Sequence, residues 1–232
     1  MLPVVSVLVD FDGTACLHDV AEHLLVEFGD PTWPTYDEAV DRGEIGLRTA
    51  IVAQAGLVAG SQDALLGYAL EHCPMDPTFG PFVERCRAEG VPVTLVSDGF
   101  GFYIEPLLAA NGIDGIRLIT NTWRDREDPR VRFDNGHGEC IGCGTCKMRA
   151  VLEARARGAV AFVGEGQTDR YGALYADVTF AKDALVGWCE RDGVPFRPWN
   201  DFDDVWRSLT SAEPLPGPVA PARCPGWRTS GG

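Results

Sequence analysis

Two carboxylates stand one residue apart in Asp10-Phe11-Asp12-Gly13-Thr14, directly after the apolar run Val4 to Val9. At the end of a strand, one such carboxylate can attack phosphorus and form an aspartyl phosphate. The other can protonate the leaving oxygen and later deprotonate a water. A plain polar turn uses the same residue types, so the pair gains meaning from what accompanies it. Ser97-Asp98-Gly99 follows Val96, where a hydroxyl and a glycine amide can bind phosphoryl oxygens. Lys147 opens a helical stretch toward Arg157 and offers the cation that a phosphoryl group crowded by carboxylates needs. Gly164-Glu165-Gly166-Gln167-Thr168-Asp169 follows Val163, and its glycines permit close backbone approach. Glu165 and Asp169 bring hard oxygen ligands suited to Mg²⁺. Each group alone also reads as a helix cap, a solvated lysine or an acidic helix start. Together they are surplus carboxylates around an anion, an arrangement that requires a divalent cation; with Mg²⁺ they make a phosphoryl-transfer site.

The elements that must position these groups alternate. Strands are expected at Val4–Val9, Val91–Val96, Ile116–Thr120, Val160–Val163 and Val178–Phe180, with a helix over Phe79–Glu89. That pattern predicts an α/β fold with a Rossmann-like, mainly parallel sheet core. Four chemical groups at strand carboxyl ends match where ligands bind in open α/β sheets. The interval between the first two strands exceeds a single crossover and contains apolar residues at helical spacing over Val20–Phe28 and Leu47–Ala55. It reads as an inserted helical cap over 16–76, with the core over 1–15 and 77–210. The polar stretch Thr122–Asn135 reads as a hairpin or surface excursion, and the Pro- and Gly-rich 211–232 as a disordered tail.

Composition narrows the partners. A net charge of −14 and a pI of about 4.6 argue against nucleic acid and leave a small phosphorylated metabolite as the expected partner. No apolar run reaches the roughly 20 residues that span a bilayer, and the apolar start lacks a basic leader, so no membrane association and a cytoplasmic location are expected. The eight cysteines are then reduced thiols unless they bind metal. His137, Cys140, Cys143 and Cys146 form H-x₂-C-x₂-C-x₂-C just before Lys147. This run reads either as a structural Zn²⁺ site or as a Gly-rich loop of free thiols. The other cysteines, Cys16, Cys73, Cys86, Cys189 and Cys224, show no pairing pattern.

In their order across residues 10 to 169, the four chemical groups resemble the four motifs of the haloacid dehalogenase superfamily. The resemblance implies that Asp10 is nucleophile and Mg²⁺ ligand. It implies that Asp12 is the acid/base and gives its backbone carbonyl to the metal. Ser97 and Lys147 would hold the phosphoryl group, with Asp98 and Gly99 beside them, and Glu165 and Asp169 would complete the metal site. One departure is that family members of this type usually carry Asp where Glu165 stands. Pro74 to Phe79, Cys143 to Lys147, Val178 to Leu185 and Trp199 to Phe202 resemble a phosphoserine-phosphatase-like subgroup. That subgroup includes a methionine-salvage phosphatase and amino-alcohol phosphate phosphatases. Asp19 falls where such proteins place an acid facing the substrate amine, and Arg48 near their carboxylate-binding arginine. Asp19 also reads as a helix N-cap with Glu22 in the capping-box position, and Arg48 as a solvated helix residue. The expected function is Mg²⁺-dependent hydrolysis of a phosphate monoester. Two alternatives stay open: transfer to an alcohol acceptor at the same site, and non-catalytic metal or phosphate binding.

Overall fold

The structure, a computed structural model, describes residues 2–125 and 130–229. A seven-stranded sheet forms its centre, in the order β4-β3-β2-β1-β5-β6-β7. The strands are β1 (Ser6–Val9), β2 (Val93–Phe100), β3 (Arg117–Trp123), β4 (Val131–Arg132), β5 (Val160–Gly164), β6 (Val178–Ala181) and β7 (Phe196–Pro198). Every pairing is parallel except the antiparallel edge pair β3 and β4. β1 pairs with β2 on one side and β5 on the other, so Asp10 emerges between two neighbouring strand ends.

Successive side chains of a strand point to opposite faces, and here both faces are dry. Val7, Val9, Leu95, Ala161 and Val163 enter one apolar cluster. Leu8, Val96 and Phe162 enter the other. Helices cover each face, as parallel sheets require. α5 (Phe79–Ala88), α6 (Gly101–Ala110) and α10 (Phe202–Leu209) contribute to the first cluster. α7 (Lys147–Arg155), α8 (Arg170–Ala173) and α9 (Asp183–Asp192) contribute to the second. Between β1 and α5 lie α1 (Val20–Phe28), α2 (Pro34–Asp41), α3 (Leu47–Leu57) and α4 (Gln62–His72). They pack over the carboxyl end of the sheet, with Leu24, Ala55, Leu65 and Ala69 in the larger cluster.

Two local features differ from the sequence reading. β2 continues through Ser97-Asp98-Gly99 to Phe100, with a register shift against β3 between Val96 and Phe100. Such an irregularity re-aims side chains at a strand end. The second difference is the tail. Where disorder is expected over 211–232, the described part docks as irregular chain. Gly217 N donates to Asp177 O at 2.9 Å, Ala220 N to Leu174 O at 2.8 Å and Tyr175 Oη to Pro221 O at 2.9 Å. Ile141 N donates to Arg228 O at 2.7 Å, joining the tail to the loop before α7. Proline and glycine deny this segment a helix or strand, but its backbone groups still find partners on the core. Residues 126–129 of the 122–135 excursion and 230–232 of the tail lie outside the described residues.

Phe202 closes the far side of the sheet. It is fully buried, with ring centroids 4.8 Å from Phe79, 5.2 Å from Phe82 and 5.2 Å from Trp199. Phe202→Ala is expected to cost about 3–5 kcal/mol of unfolding free energy in chemical denaturation. A loss below about 1 kcal/mol would show that this cluster collapses without it.

Candidate active site

The site is built around a buried lysine. Lys147 is the first residue of α7 and only 2% exposed. Its Nζ donates to Asp10 Oδ1 and to Asp169 Oδ1, both at 2.7 Å. A cation at the positive end of a helix is electrostatically misplaced, and burial alone would depress its proton affinity. Asp10 and Asp169 more than offset both effects and hold the ammonium well above its ordinary range. The fold can therefore bury this charge only with those carboxylates in place.

Asp169 is locked from the other side. Its Oδ2 accepts from Glu165 N and Gly166 N, each at 2.9 Å. This carboxylate packs so tightly against Gly164 that a β-carbon there would collide with it. Gly13, at φ +67°, is constrained twice: a β-carbon would sit 2.9 Å from Glu165 Cδ, and its backbone conformation is one that L side chains rarely adopt. These two glycines let the β1 and β5 loops close on one another. As a result, carboxylate oxygens of Asp10, Glu165 and Asp169 lie within 4.8 Å of one another. Burial, then Asp169, pushes Asp10 well above the ordinary carboxylate range, with Lys147 opposing. Burial, then Asp169, pushes Glu165 up to about 7. Buried like charges with hard oxygen donors fit Mg²⁺, whose charge would relieve their repulsion. Glu165 therefore joins the acidic group despite its extra methylene.

Asp12 faces a different environment. Its carboxylate is not part of that acidic group among the described residues. Oδ1 accepts from Val20 N at 2.9 Å, the start of α1, and Oδ2 accepts from Ser97 Oγ at 3.1 Å. Burial, then the nearby Asp19, raises Asp12 to about 8. The two acids of one motif are thus separated into different settings, one beside a lysine and one beside a hydroxyl. Such divergence is the usual mark of different protonation roles.

Several expected site residues take other positions. Ser97 is fully buried, and its hydroxyl serves Asp12 while accepting from Gly99 N at 2.8 Å. Gly99 and Asp98 line the cleft. Asp98 Oδ1 accepts from Thr145 N at 2.6 Å, so this side chain clamps the loop preceding Lys147 to β2. Arg48 does not line the cleft. It donates from Nε to Cys143 O at 2.8 Å and from Nη2 to His137 O at 2.9 Å, and its guanidinium lies over Phe133. Its five donors suit carbonyl clusters as well as carboxylates, and here the loop carbonyls hold it. Asp19 caps α1 by accepting from Glu22 N at 2.9 Å and also stands in the cleft wall. His137 does not act with Cys140, Cys143 and Cys146 as a four-ligand group. Its Nδ1 accepts from Glu139 N at 3.1 Å and its ring lies against Trp227. Among the described residues these four do not converge as a metal-binding set. Their side chains border one small cavity without bringing three ligand atoms as close as those of the acidic group, so the expected Zn²⁺ set is not formed.

The cleft holds about 380 Å³ and is walled by the carboxylates, Lys147 and the α1 to α3 helices. A narrower, mostly apolar annex of about 70 Å³ opens from it, sharing Ala21, Leu25, Ile51, Gln54 and the carboxylate of Asp98 with the cleft. Leu24, Phe102 and Trp123 deepen it, and no lysine or arginine among the described residues lines it. The buried Tyr103 lines this annex; its hydroxyl packs against Gly99 and has no hydrogen-bond partner among the described residues. The annex was hidden in sequence because it joins side chains of α1, α3, α4, β2, α6 and β3, spread along the chain from Ala21 to Trp123. Tyr103 offered only a faint signal, as one polar group in the apolar α6 stretch. Among the described residues no helix is long and apolar enough to cross a membrane.

Comparison with known proteins agrees with this geometry. Residues 7–173 match the haloacid dehalogenase-like hydrolase family. A 2-hydroxy-3-keto-5-methylthiopentenyl-1-phosphate phosphatase of Bacillus velezensis is 28% identical over 205 residues, covering 86% of this chain and 87% of that protein. Among solved structures, a HAD family hydrolase from Salmonella enterica serovar Typhi has a TM-score of 0.69 at 16% identity, over 91% of this chain and 73% of that one. A phosphoserine phosphatase captured as a phospho-aspartyl intermediate analogue has a TM-score of 0.66 at 14% identity, over 88% and 98%. At these identities the two structures speak for the fold alone. The chain belongs to the haloacid dehalogenase-like hydrolases and is a phosphatase of phosphoric monoesters.

Proposed function

We propose that this phosphatase works through an aspartyl phosphate on Asp10 and acts on a small phosphate monoester with an apolar tail that carries no carboxylate. The observation that carries the first part is the division of the two acids. Asp10 is bound to Lys147 and grouped with Glu165 and Asp169, whereas Asp12 is bound to Ser97 and the α1 backbone. In this reading an Asp10 oxygen attacks phosphorus in line, and the bond from phosphorus to the ester oxygen breaks. Asp12, raised to about 8 and thus protonated at neutral pH, gives its proton to the departing alkoxide. The resulting Asp12 carboxylate then takes a proton from water as that water attacks phosphorus, which frees Asp10 and inorganic phosphate. Lys147 balances the charge of the phosphoryl oxygens throughout, and Asp169 keeps Lys147 in place. Mg²⁺ held by Asp10, Glu165 and Asp169, with the Asp12 carbonyl, would supply further neutralisation of phosphoryl charge.

The substrate reading rests on the helices over 16–76, taken as the cap that selects the ester. Arg48 is held by loop carbonyls and no other cation among the described residues lines the annex, so a substrate carboxylate there would be desolvated without a partner. The apolar side chains of the annex suit an aliphatic or thioether group. The relatives named for 2-hydroxy-3-keto-5-methylthiopentenyl-1-phosphate support a substrate of this shape.

Asp10→Asn is expected to lower phosphate release from a generic aryl phosphate by about 10,000-fold or more, while leaving the circular-dichroism spectrum intact. Substantial residual turnover would remove Asp10 from the nucleophile role. In a metabolite panel with Mg²⁺, a thioether-tailed sugar-derived phosphate is expected to exceed phosphoserine in kcat/KM by about 10- to 100-fold. Equal rates would sink the apolar-tail reading while sparing the phosphatase one. Formation of a new ester on adding alcohols would replace water by an acceptor.

The acids also predict a pH dependence of folding. Asp12 and Glu165 hold protons in the fold up to about 8 and about 7, whereas unfolded carboxyls release them near about 4. The stability they contribute is complete below that lower value and is lost as pH rises through the folded values. Metal-free protein is therefore expected to melt at progressively lower temperature between about pH 4 and pH 8. Mg²⁺ should raise the melting temperature more at the upper end of that range than at the lower. A Mg²⁺ effect independent of pH would contradict this.

A further inference from the structure

The docked tail brings a fourth thiol to the cysteine loop. Cys140, Cys143 and Cys146 come from the loop before Lys147, and Cys224 comes from the tail. All four line one small cavity of about 20 Å³, roughly the room one ion or water occupies. Tyr171 and Trp227 close it, His137 and Lys147 also border it, and no carboxylate among the described residues lines it. The backbone is set up for sulfur ligation at Cys140, whose Sγ accepts from Gly142 N at 3.4 Å and from Arg228 N at 3.3 Å. Hydrogen bonds of this kind orient and stabilise metal-bound thiolates. One of them comes from the loop and one from the tail, so the sulfur sits where the two segments are already joined by the Ile141 N to Arg228 O bond. The loop carbonyl of Cys143 is in turn fixed by Arg48.

We infer that Cys140, Cys143, Cys146 and Cys224 form a binding site for one thiophilic metal ion, which ties the tail to the loop presenting Lys147. The loop run alone cannot surround an ion, because His137 is turned onto Trp227 and Glu139. A ligand from a segment 78 residues beyond Cys146 supplies the missing side. Soft sulfur donors in a tetrahedral set select ions such as Zn²⁺, Cd²⁺ or Cu⁺ over Mg²⁺. Each thiol gives up its proton on binding, and the protons leave to solvent. No three of the four sulfurs lie within 4.8 Å of one another, so binding closes them by side-chain rotation. The site is separate from the acidic group, and its existence does not depend on the phosphatase mechanism above.

The test uses full-length reduced protein in excess Mg²⁺, titrated with Cd²⁺ and read by sulfur-to-cadmium charge-transfer absorption. One Cd²⁺ per chain is expected, displaced by Zn²⁺. Cys224→Ser should weaken binding by about 100-fold or more. His137→Asn and Cys189→Ser should leave it unchanged, since His137 Nδ1 is taken by Glu139 N and Cys189 is buried on α9. Bound Cd²⁺ should also protect Cys224 of the unaltered protein from alkylation, which needs no variant to fold. No charge-transfer band, an unaltered affinity in Cys224→Ser, loss of binding in His137→Asn, or unprotected Cys224 would each overturn the site.

Discussion

One buried ammonium organises this molecule. Lys147 sits where a helix terminus, a buried setting and two carboxylates meet, and it is tolerable only if all its partners are present. The requirement runs outward through the fold. Asp10 must leave β1 at one point, Asp169 must turn back from the β5 loop, and α7 must start between them. Asp98 and Thr145 hold the α7 approach to β2, so the strand bearing one motif physically places the lysine of another. A change at any of these points leaves a charge buried without its counterpart.

The parallel sheet supplies the rigidity this demands. β1, β2 and β5 are neighbours, and their carboxyl ends deliver Asp10, Ser97 and Glu165 to one place. Dry packing on both faces fixes the strands in register, because a one-residue slip would exchange the two apolar clusters. The site then departs from regular geometry only where it must: at the register shift in β2, and at Gly13 and Gly164, where loops press together.

The helices after β1 and the tail after α10 act on this frame from opposite sides. The α1 to α3 helices wall the cleft and open it toward an apolar annex, so the phosphate end and the tail end of an ester meet different chemistry. The tail runs back along the β6 and α8 region to the cysteine loop. Arg48 links the two sides, leaving the helix that walls the cleft to hold carbonyls of that loop. The guanidinium that the resemblance would give to the substrate is thus held by the loop.

The sequence by itself determined the alternating α/β order, the strand-end acids, the lysine and the acidic loop. These are local facts: apolar runs set strands, and a motif directly after a strand is carried to its carboxyl end. The helix over Val20–Phe28 was legible to the residue because cap and periodicity agree there. Three matters were decided only by tertiary structure. Arg48 could face substrate or loop, and packing across 95 residues to Cys143 chose the loop. Ser97 and Asp98 carry phosphate-binding residue types, yet the bulge in β2 gave one to Asp12 and the other to Thr145. Cys224 lay in a segment without periodicity, and only the docked tail placed it beside Cys140. Spacing along a chain fixes which residues share an element, but the direction of a side chain across elements depends on packing that no local pattern encodes.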